Sequence, residues 1–537
     1  MGHPTDTSAL GFPAQDRAVG GARSSPPAAA GRSRPGDGVL ATVCGGLAWL
    51  VSALGSWIPS LWTDEAATIS GARRSLPELW TMLQHVDAVH GLHYLLMHFW
   101  IGIFGQSALA LRMPSALAVG IGAAGVFWLA RHLGGPGLGV VSALVFAILP
   151  RVAWAGIEAR SFAFSAAAAV WLSVLLMVAL RRRKPWCWGA YSLLSAVSIG
   201  INLYLVLVLT SHALTVLALR AVGWRTRFAW LASAGTGVLL ASPVIYLSMA
   251  QSRQISDQEL GWLRWLRNVA VNQWFLGDTP TDAPGQFAPG WLWKLAAVAL
   301  AGACWLIMSF ALVKILGSRA PGVRRTYLAW LLPQIVLPTA AIGLYSLYVH
   351  PMYNPRYLSF SAPAVAIAIG AGVWFLRRHW LRTAAVLGIL ALAAPVYVSQ
   401  RQVYAKRGFD WSVAAAYVQD HKGQGDGVYF SPRYPPAGSG VGLTLRRVGV
   451  AYPEAFAGLR DLTLATPGAR NGTLDGTSRL LADSVNALGT ISRIWVVRRL
   501  DYPQDDATAE DAQFLAAGYH AKIAWTGPLD SIIEFSR

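Results

Sequence analysis

The sequence predicts an α-helical polytopic membrane protein, about eleven transmembrane helices with a small C-terminal α/β domain, and three observations predict it. Of 537 residues, 54% are hydrophobic and only 13% charged, where soluble domains carry roughly 25% charged residues. The apolar residues gather into long runs, and a bilayer core takes about 20 of them per helix. The basic residues, which bring the formal net charge to +18, fall in alternate connections between those runs. A disordered chain is excluded by the apolar content. A soluble enzyme of this size could not cover its surface with so few charges. In a chain of positive mean hydropathy, the basic excess reads as a sign of membrane sidedness and not of nucleic-acid binding.

Residues 1–38 are rich in Pro, Gly, Ala, Ser and Arg with no apolar period, and read as a disordered tail. The apolar runs are 39–59, 108–130, 137–150, 161–180, 187–201, 203–219, 228–249, 291–313, 327–348, 362–376 and 381–398. No small-residue cleavage site follows the first run, so it is expected to stay as an anchor. With the tail placed in the cytoplasm, the inner side holds Arg17, Arg23, Arg32 and Arg34, then Arg131, then Arg181–Lys184, then Arg220, Arg225 and Arg227, then Lys314, Arg319, Arg324 and Arg325, then Arg377, Arg378 and Arg382. The acids on that side are Asp6, Asp16 and Asp37. Every inner connection therefore obeys the positive-inside rule, which places the protein as multi-pass in the plasma (inner) membrane. Trp57, Trp62, Trp186, Trp188, Trp291 and Trp380 lie near span ends, as interfacial belts require.

The outer side then receives loop 60–107, the turns 151–160, Asn202 and 349–361, loop 250–290, and 401–537. His93–Phe104 is apolar but too short to span and is expected to lie along the membrane surface. Loop 250–290 carries Trp262, Trp265 and Trp274 and reads as a second interfacial or lid-like segment. Beyond 401 the charge rises. Trp411–Asp420 and Thr508–Ala517 read as helices, and Gly427–Phe430, Ile494–Arg498 and Asp530–Phe535 as strands of a small extracytoplasmic domain. Cys44, Cys187 and Cys304 sit in or beside apolar runs and read as small buried hydrophobes.

Three outer motifs have the residue types for chemistry. Trp62-Thr63-Asp64-Glu65 sets two carboxylates at the membrane boundary, where acids are costly and tend to be functional. Adjacent residues do not share a helical face, so one carboxylate can react while the other organises the loop; the competing reading makes Asp64 a helix cap. Glu158-Ala159-Arg160 offers an acid and a base facing different partners, or snorkelling side chains. In His350–Tyr357, prolines brace Tyr353 and Arg356, and an Arg fork suits phosphate oxygens. His85, Asp87, His90, His93 and His98 lie in loop 60–107 without metalloenzyme spacing, and read as surface or substrate-contact groups. Asn471-Gly472-Thr473 matches a glycosylation acceptor, a triplet common by chance. The sequence has no P-loop and no G-x-G-x-x-G after a strand. The charge-derived topology puts Asp64, Glu65, Glu158, Arg160, Tyr353 and Arg356 on one membrane face, where carboxylates beside arginines suit a lipid-phosphate substrate.

On these motifs the sequence resembles the GT-C membrane glycosyltransferases, especially the family 39-like enzymes related to protein O-mannosyltransferases and aminoarabinose transferases. Trp62-Thr63-Asp64-Glu65-Ala66, His90-Gly91-Leu92-His93-Tyr94, Ala110-Leu111-Arg112-Met113-Pro114-Ser115-Ala116, Glu158-Ala159-Arg160 and Pro355-Arg356-Tyr357 carry the resemblance over residues 40–400; at Gly91-Leu92-His93 many relatives have prolines instead. The Ala- and Arg-rich, Lys-poor composition suggests a high-GC actinobacterium. The resemblance implies transfer of a sugar, mannose first, from a polyprenyl-phosphate donor to a cell-envelope glycan, lipid or protein, in cell-wall biogenesis, with inversion. It implies Asp64 as general base, with Glu65 beside it at the catalytic position. Glu158, Arg160, His90, Tyr353, Arg356 and Tyr357 would bind substrate. It implies no organic cofactor and leaves a divalent cation open. Arabinosyl or aminosugar transfer, and a non-enzymatic lipid-linked sugar transporter or flippase, are the alternatives; a transporter is expected to carry polar groups at mid-membrane and internal repeats.

Overall fold

The computed structural model describes residues 35–252, 259–277, 288–432, 444–485 and 491–537. Seven helices among them are long and apolar enough to cross a membrane: Gly36–Ala53, Ala108–Gly134, Phe162–Arg182, Gly290–Leu316, Pro321–Tyr348, Pro355–Trp374 and His379–Ser399. Two bent pairs bring the number to nine if each is one span: Pro136–Ile148 with Pro150–Gly156, bent by 65°, and Trp224–Leu240 with Ser242–Ala250, bent by 53°. Pro150 sits at the first bend and Pro243 at the second, where a ring without an N–H breaks the helical ladder. The expected spans 187–201 and 203–219 are the shorter helices Pro185–Ile201 and Leu203–Ala218. The first helix starts at Pro35, inside the stretch expected to be tail, because Asp37 pairs with Arg131 at 2.6 Å; residues 1–34 lie outside the described residues.

The first two long helices cross at Gly45 and Gly120. A Cβ at Gly45 would stand 2.9 Å from the Gly120 carbonyl, and one at Gly120 would stand 2.8 Å from the Gly45 carbonyl. Small residues permit this close crossing, which brings residues 54–62 to the N-terminal end of the Ala108–Gly134 helix.

Segment 60–107 is helical and not an open loop: Thr63–Ala72, Leu76–His85 and Gly91–Phe104. Ser75 and Glu78 form a capping box at the second. The third exposes Leu95, Leu96, Phe99, Ile103 and Phe104 while Tyr94 and Met97 are buried, the two-sided pattern of a helix lying on a membrane surface. Residues 262–276 form a short helix and a π-helical stretch, Asn268–Leu276, that buries Trp274.

The C-terminal segment holds strands β1 (Gly427–Ser431), β2 (Arg460–Asp461), β3 (Leu464–Thr466), β4 (Thr477–Ser478), β5 (Arg493–Arg499), β6 (His520–Thr526) and β7 (Asp530–Ser536). Five of them form a mixed sheet in the order β2-β1-β5-β7-β6, parallel on one side of β5 and antiparallel on the other. Helices Trp411–His421 and Gln504–Ala516 pack on it. All three cysteines are buried free thiols.

Gly120→Leu must push a branched side chain into a backbone crossing. The expected cost is about 1–3 kcal/mol, read as a lower thermal unfolding temperature, whereas Gly46→Leu, which meets nothing within 4 Å, is expected to be neutral.

Candidate active site

The Thr63–Ala72 helix begins with Asp64 and Glu65 in its first turn, where carboxylates are favoured by the helix dipole. Neighbouring positions point in different directions, and here they diverge completely. Glu65 is fully buried. Its oxygens accept from Arg112 Nε at 2.7 Å and Nη2 at 2.6 Å, and Oε1 also accepts the Ala159 amide at 3.0 Å. Arg112 spends its remaining N–H groups on the carbonyls of Ser56, Pro59 and Ser60. Burial pushes the Glu65 carboxyl up, but the Arg112 guanidinium holds it low and ionised. Glu65, expected beside Asp64 at the catalytic position, has both carboxylate oxygens taken inside the protein.

Asp64 points the other way, its side chain 23% exposed and paired with Arg356 (Nη1–Oδ2, 2.9 Å). Burial raises its pKa, yet Arg356, Arg160, Arg407 and His90 together hold it down at about 2. Arg356 follows Pro355 in a 3₁₀ turn capped by Asn354. Its guanidinium lies 5.2 Å from the Trp62 ring, 5.8 Å from Phe162 and 5.6 Å from Tyr357, cation–π contacts that place the charge without fixing its direction. Asn202 braces this turn, donating to Ser165 and to the Tyr357 carbonyl while accepting the Tyr204 amide.

The 157–161 turn is held from several sides. Ser115 donates to the Glu158 carbonyl at 2.6 Å, Thr68 to the Ala159 carbonyl at 2.9 Å, and His93 Nε2 to the same oxygen at 3.3 Å. Burial lowers the His93 pKa to about 3, so the ring is neutral. Arg160 donates to Tyr94 at 3.0 Å and to His90 Nε2 at 2.9 Å. That bond needs a neutral His90 with its proton on Nδ1. Tyr94 in turn donates to Asp87 at 2.8 Å. Arg160 is thus fixed at its tip, while its Nε has no partner among the described residues.

Glu158 is fully buried between Trp62 Nε1, at 2.6 Å, and Lys406. Burial drives the carboxyl up and the Lys406 ammonium down, and each charge offsets the shift of the other. Lys406 also donates to the Ile157 carbonyl and sits 3.4 Å over the Trp154 ring. Glu158, expected to bind substrate, has both its oxygens taken inside the protein. Tyr353 donates to Gln273 of the π-helical stretch at 2.7 Å. Its neighbour Tyr357, beneath Arg356, joins the site. His85 and His98 bond local carbonyls, of Thr81 and Ala72, and Asn471 closes a turn with Thr473.

Arg112, Lys406 and Arg407 had no role in the sequence reading. Arg112 stood inside a motif as a charge one turn into a span, a costly position that is itself a signal. Lys406 and Arg407 follow the last span, and nothing local distinguishes them. Among the described residues no three His, Cys, Asp or Glu side chains converge as metal ligands. Asp64, ringed by guanidinium groups, is a poor cation ligand and part of a good anion site. An apolar cavity of about 360 Å³ opens between Gly290–Leu316 and Pro321–Tyr348. Trp274 lines this cavity and donates to Ser361, at the end of the Arg356 turn.

No protein-family model and no curated protein matches the sequence. Solved structures do. The chain shares its fold with ArnT. The crystal structure of ArnT from Cupriavidus metallidurans in the apo state superposes with a TM-score of 0.55 at 12% identity, over 92% of this chain and 97% of that one. The same protein bound to undecaprenyl phosphate superposes at 0.54 and 12%, over 94% and 98%. At this identity the likeness is one of fold.

Breaking the Glu65–Arg112 pair strands a buried charge, so Arg112→Ala is expected to cost about 3–5 kcal/mol. The double variant Glu65→Leu/Arg112→Met should lose less than the two single variants combined in thermal unfolding. His93 supplies a second check. Unfolded, it binds a proton below its ordinary pKa of 6.5, whereas folded it does so only below about 3. Its contribution is complete above pH 6.5 and erodes as pH falls toward 3. His93→Gln should flatten that part of the stability–pH curve.

Proposed function

We propose that the protein is an integral membrane glycosyltransferase. It moves a sugar from a polyprenyl-phosphate donor to a hydroxyl of a cell-envelope glycan, lipid or protein on the outer membrane face. The observation that carries this reading is one solvent-reachable carboxylate, Asp64, set among Arg356, Arg160 and Arg407. The other two acids of the cluster, Glu65 and Glu158, are closed off in buried ion pairs. The site is therefore an anion pocket with a single base.

The acceptor hydroxyl gives its proton to Asp64 as its oxygen attacks the anomeric carbon. The bond from that carbon to the phosphate oxygen breaks, and the electron pair leaves on the lipid phosphate, inverting the anomeric centre. Arg356 and Arg160 stabilise the charge growing on the phosphate. Glu65 and Glu158 hold the loops in place and touch no substrate. The apolar cavity lined by Trp274 suits part of a prenyl tail. ArnT was solved with undecaprenyl phosphate, which agrees with a donor of this class. Mannose is the first candidate sugar and a pentose or aminosugar the second, both from motif resemblance. The basic inner connections support a cytoplasmic N-terminus and an extracytoplasmic C-terminal segment; a reporter fused to the C-terminus that reads cytoplasmic would overturn this orientation.

The test supplies a panel of radiolabelled polyprenyl-phosphate sugars to membranes containing the protein. Transfer from at least one is expected. Asp64→Asn should lower the turnover rate about 10²–10⁴-fold, as loss of a general base does, while still binding polyprenyl phosphate. Arg356→Ala should lose about 10²–10³-fold. No transfer from any donor by the wild type rejects the reading. Equal transfer by Asp64→Asn rejects only the base.

A further inference from the structure

The C-terminal segment and the helices of segment 60–107 enclose another cavity, of about 480 Å³, a size that takes a small organic ligand. One wall comes from the Thr63–Ala72 and Leu76–His85 helices. The other comes from β1, β2, the Arg446–Ala451 helix and residues 467–475. Among the described residues its charges balance: Arg73, Arg74 and Arg446 stand against Glu78, Asp461 and Asp475. The pocket around Asp64, by contrast, has a surplus of arginine. A balanced lining that mixes donors with acceptors suits a neutral ligand rich in hydroxyl groups, because each hydroxyl both donates and accepts. Phe430 and Phe456 add apolar faces for the C–H side of a sugar ring.

The polar groups are held in place. Arg446 donates to Asp461 at 2.7 Å and to Ser478 at 2.8 Å, and Asp461 also accepts the amides of Thr463 and Leu464. Asp475 accepts two N–H groups of Arg447, both at 2.7 Å, and a carboxylate has lone pairs beyond two. Its side chain is 17% exposed. Arg74 is buried and donates to the Ser70 and Thr473 carbonyls, while Ser70 donates to the Leu474 carbonyl at 2.8 Å. Groups fixed in advance lose little freedom on binding. The cavity also adjoins the base. Ser70 stands on the same helix as Asp64, about 9 Å further along its axis. Arg447, the partner of Asp475, lies close enough to Asp64 for the two charges to attract. A short oligosaccharide covers that reach.

We infer that this cavity holds the acceptor's glycan chain, a neutral oligosaccharide, and presents its end hydroxyl to Asp64. This rests on the transferase reading above and narrows its three acceptor classes to one. The arginines around Asp64 meet the phosphate of the donor, whereas Asp475, Asp461 and Arg73 meet hydroxyls of the acceptor. A lipid tail would call for an apolar lining without carboxylates. A polypeptide would lay its backbone along a sheet edge, and the edge strand in this wall, β2, is two residues long.

The test titrates the full chain in lipid nanodiscs with neutral mannan, arabinan, galactan and glucan oligosaccharides, followed by saturation-transfer NMR. At least one is expected to bind. Ala469→Trp adds bulk at the cavity wall without replacing a charged group. It should weaken that binding about 10- to 200-fold, as a misfit in a pocket does, with the thermal unfolding temperature and polyprenyl-phosphate binding unaltered. Arg73→Gln, at an exposed position, should weaken it about 2- to 10-fold, the worth of one hydrogen bond. In the transfer assay both variants should act on the KM for the same oligosaccharide more than on kcat. No binding by any neutral oligosaccharide overturns the inference, as does equal binding by wild type and Ala469→Trp. So does a serine-containing peptide, or inorganic phosphate, that binds in place of the oligosaccharides and is lost in Ala469→Trp. Oligosaccharide binding that fails in Ala469→Trp, in a wild type that transfers sugar from no donor, supports the glycan site and rejects the transferase reading. Transfer without such binding does the reverse.

Discussion

The end of the helical bundle that carries the site hangs from one buried ion pair, Glu65–Arg112. A carboxylate and a guanidinium wholly removed from water persist only if each finds the other and every remaining hydrogen-bonding group is satisfied. Arg112 meets that demand by gripping Glu65 with two N–H groups and the carbonyls of Ser56, Pro59 and Ser60 with the rest. It thereby also satisfies the irregular backbone between the first span and the next helix, where unpaired carbonyls at a membrane boundary would be costly. The consequence for chemistry is geometric. Once Glu65 is turned inward, its helical neighbour Asp64 must point elsewhere, and elsewhere is the pocket.

A second buried pair repeats the arrangement across a longer reach. Glu158 joins Lys406 and Trp62, tying the 157–161 turn and the segment after the last span to the Trp62–Glu65 motif. The Ser60 amide donates to the Val403 carbonyl, the Leu61 amide to Tyr452, and Arg401 to the Leu54 carbonyl. The C-terminal segment is therefore part of the wall of the site. Two closed pairs remove two acids and two bases from the account, leaving Asp64 against several arginines. That surplus of positive charge gives the pocket its preference for an anion, and the aromatic faces of Trp62, Phe162 and Tyr357 keep the cations near without neutralising them.

Much of this was legible in the chain. Runs of apolar residues and the one-sided placement of Arg and Lys follow from the cost of charge in lipid, a constraint that acts residue by residue and so leaves its mark in any order of reading. The same constraint singled out Asp64, Glu158, Arg160 and Arg356, because polar groups retained at a membrane boundary need a reason. Span counting was less secure. The stretches 187–201 and 203–219 are as apolar as a span but shorter, and where proline bends a helix a run of hydrophobic residues no longer measures a straight path.

By itself, the sequence determined which residues had to meet the membrane and which carboxylates and arginines stood at the ends of its apolar runs. Composition and periodicity report solvation, and solvation is local. Only the tertiary structure decided which acid is spent on architecture and which is left for chemistry. Asp64 and Glu65 are chemically near-identical neighbours; their difference is made by Arg112, 47 positions away, and Arg356, 292 positions away. A pairing between charges so far apart is a property of how the helices pack, and no pattern along the chain encodes it.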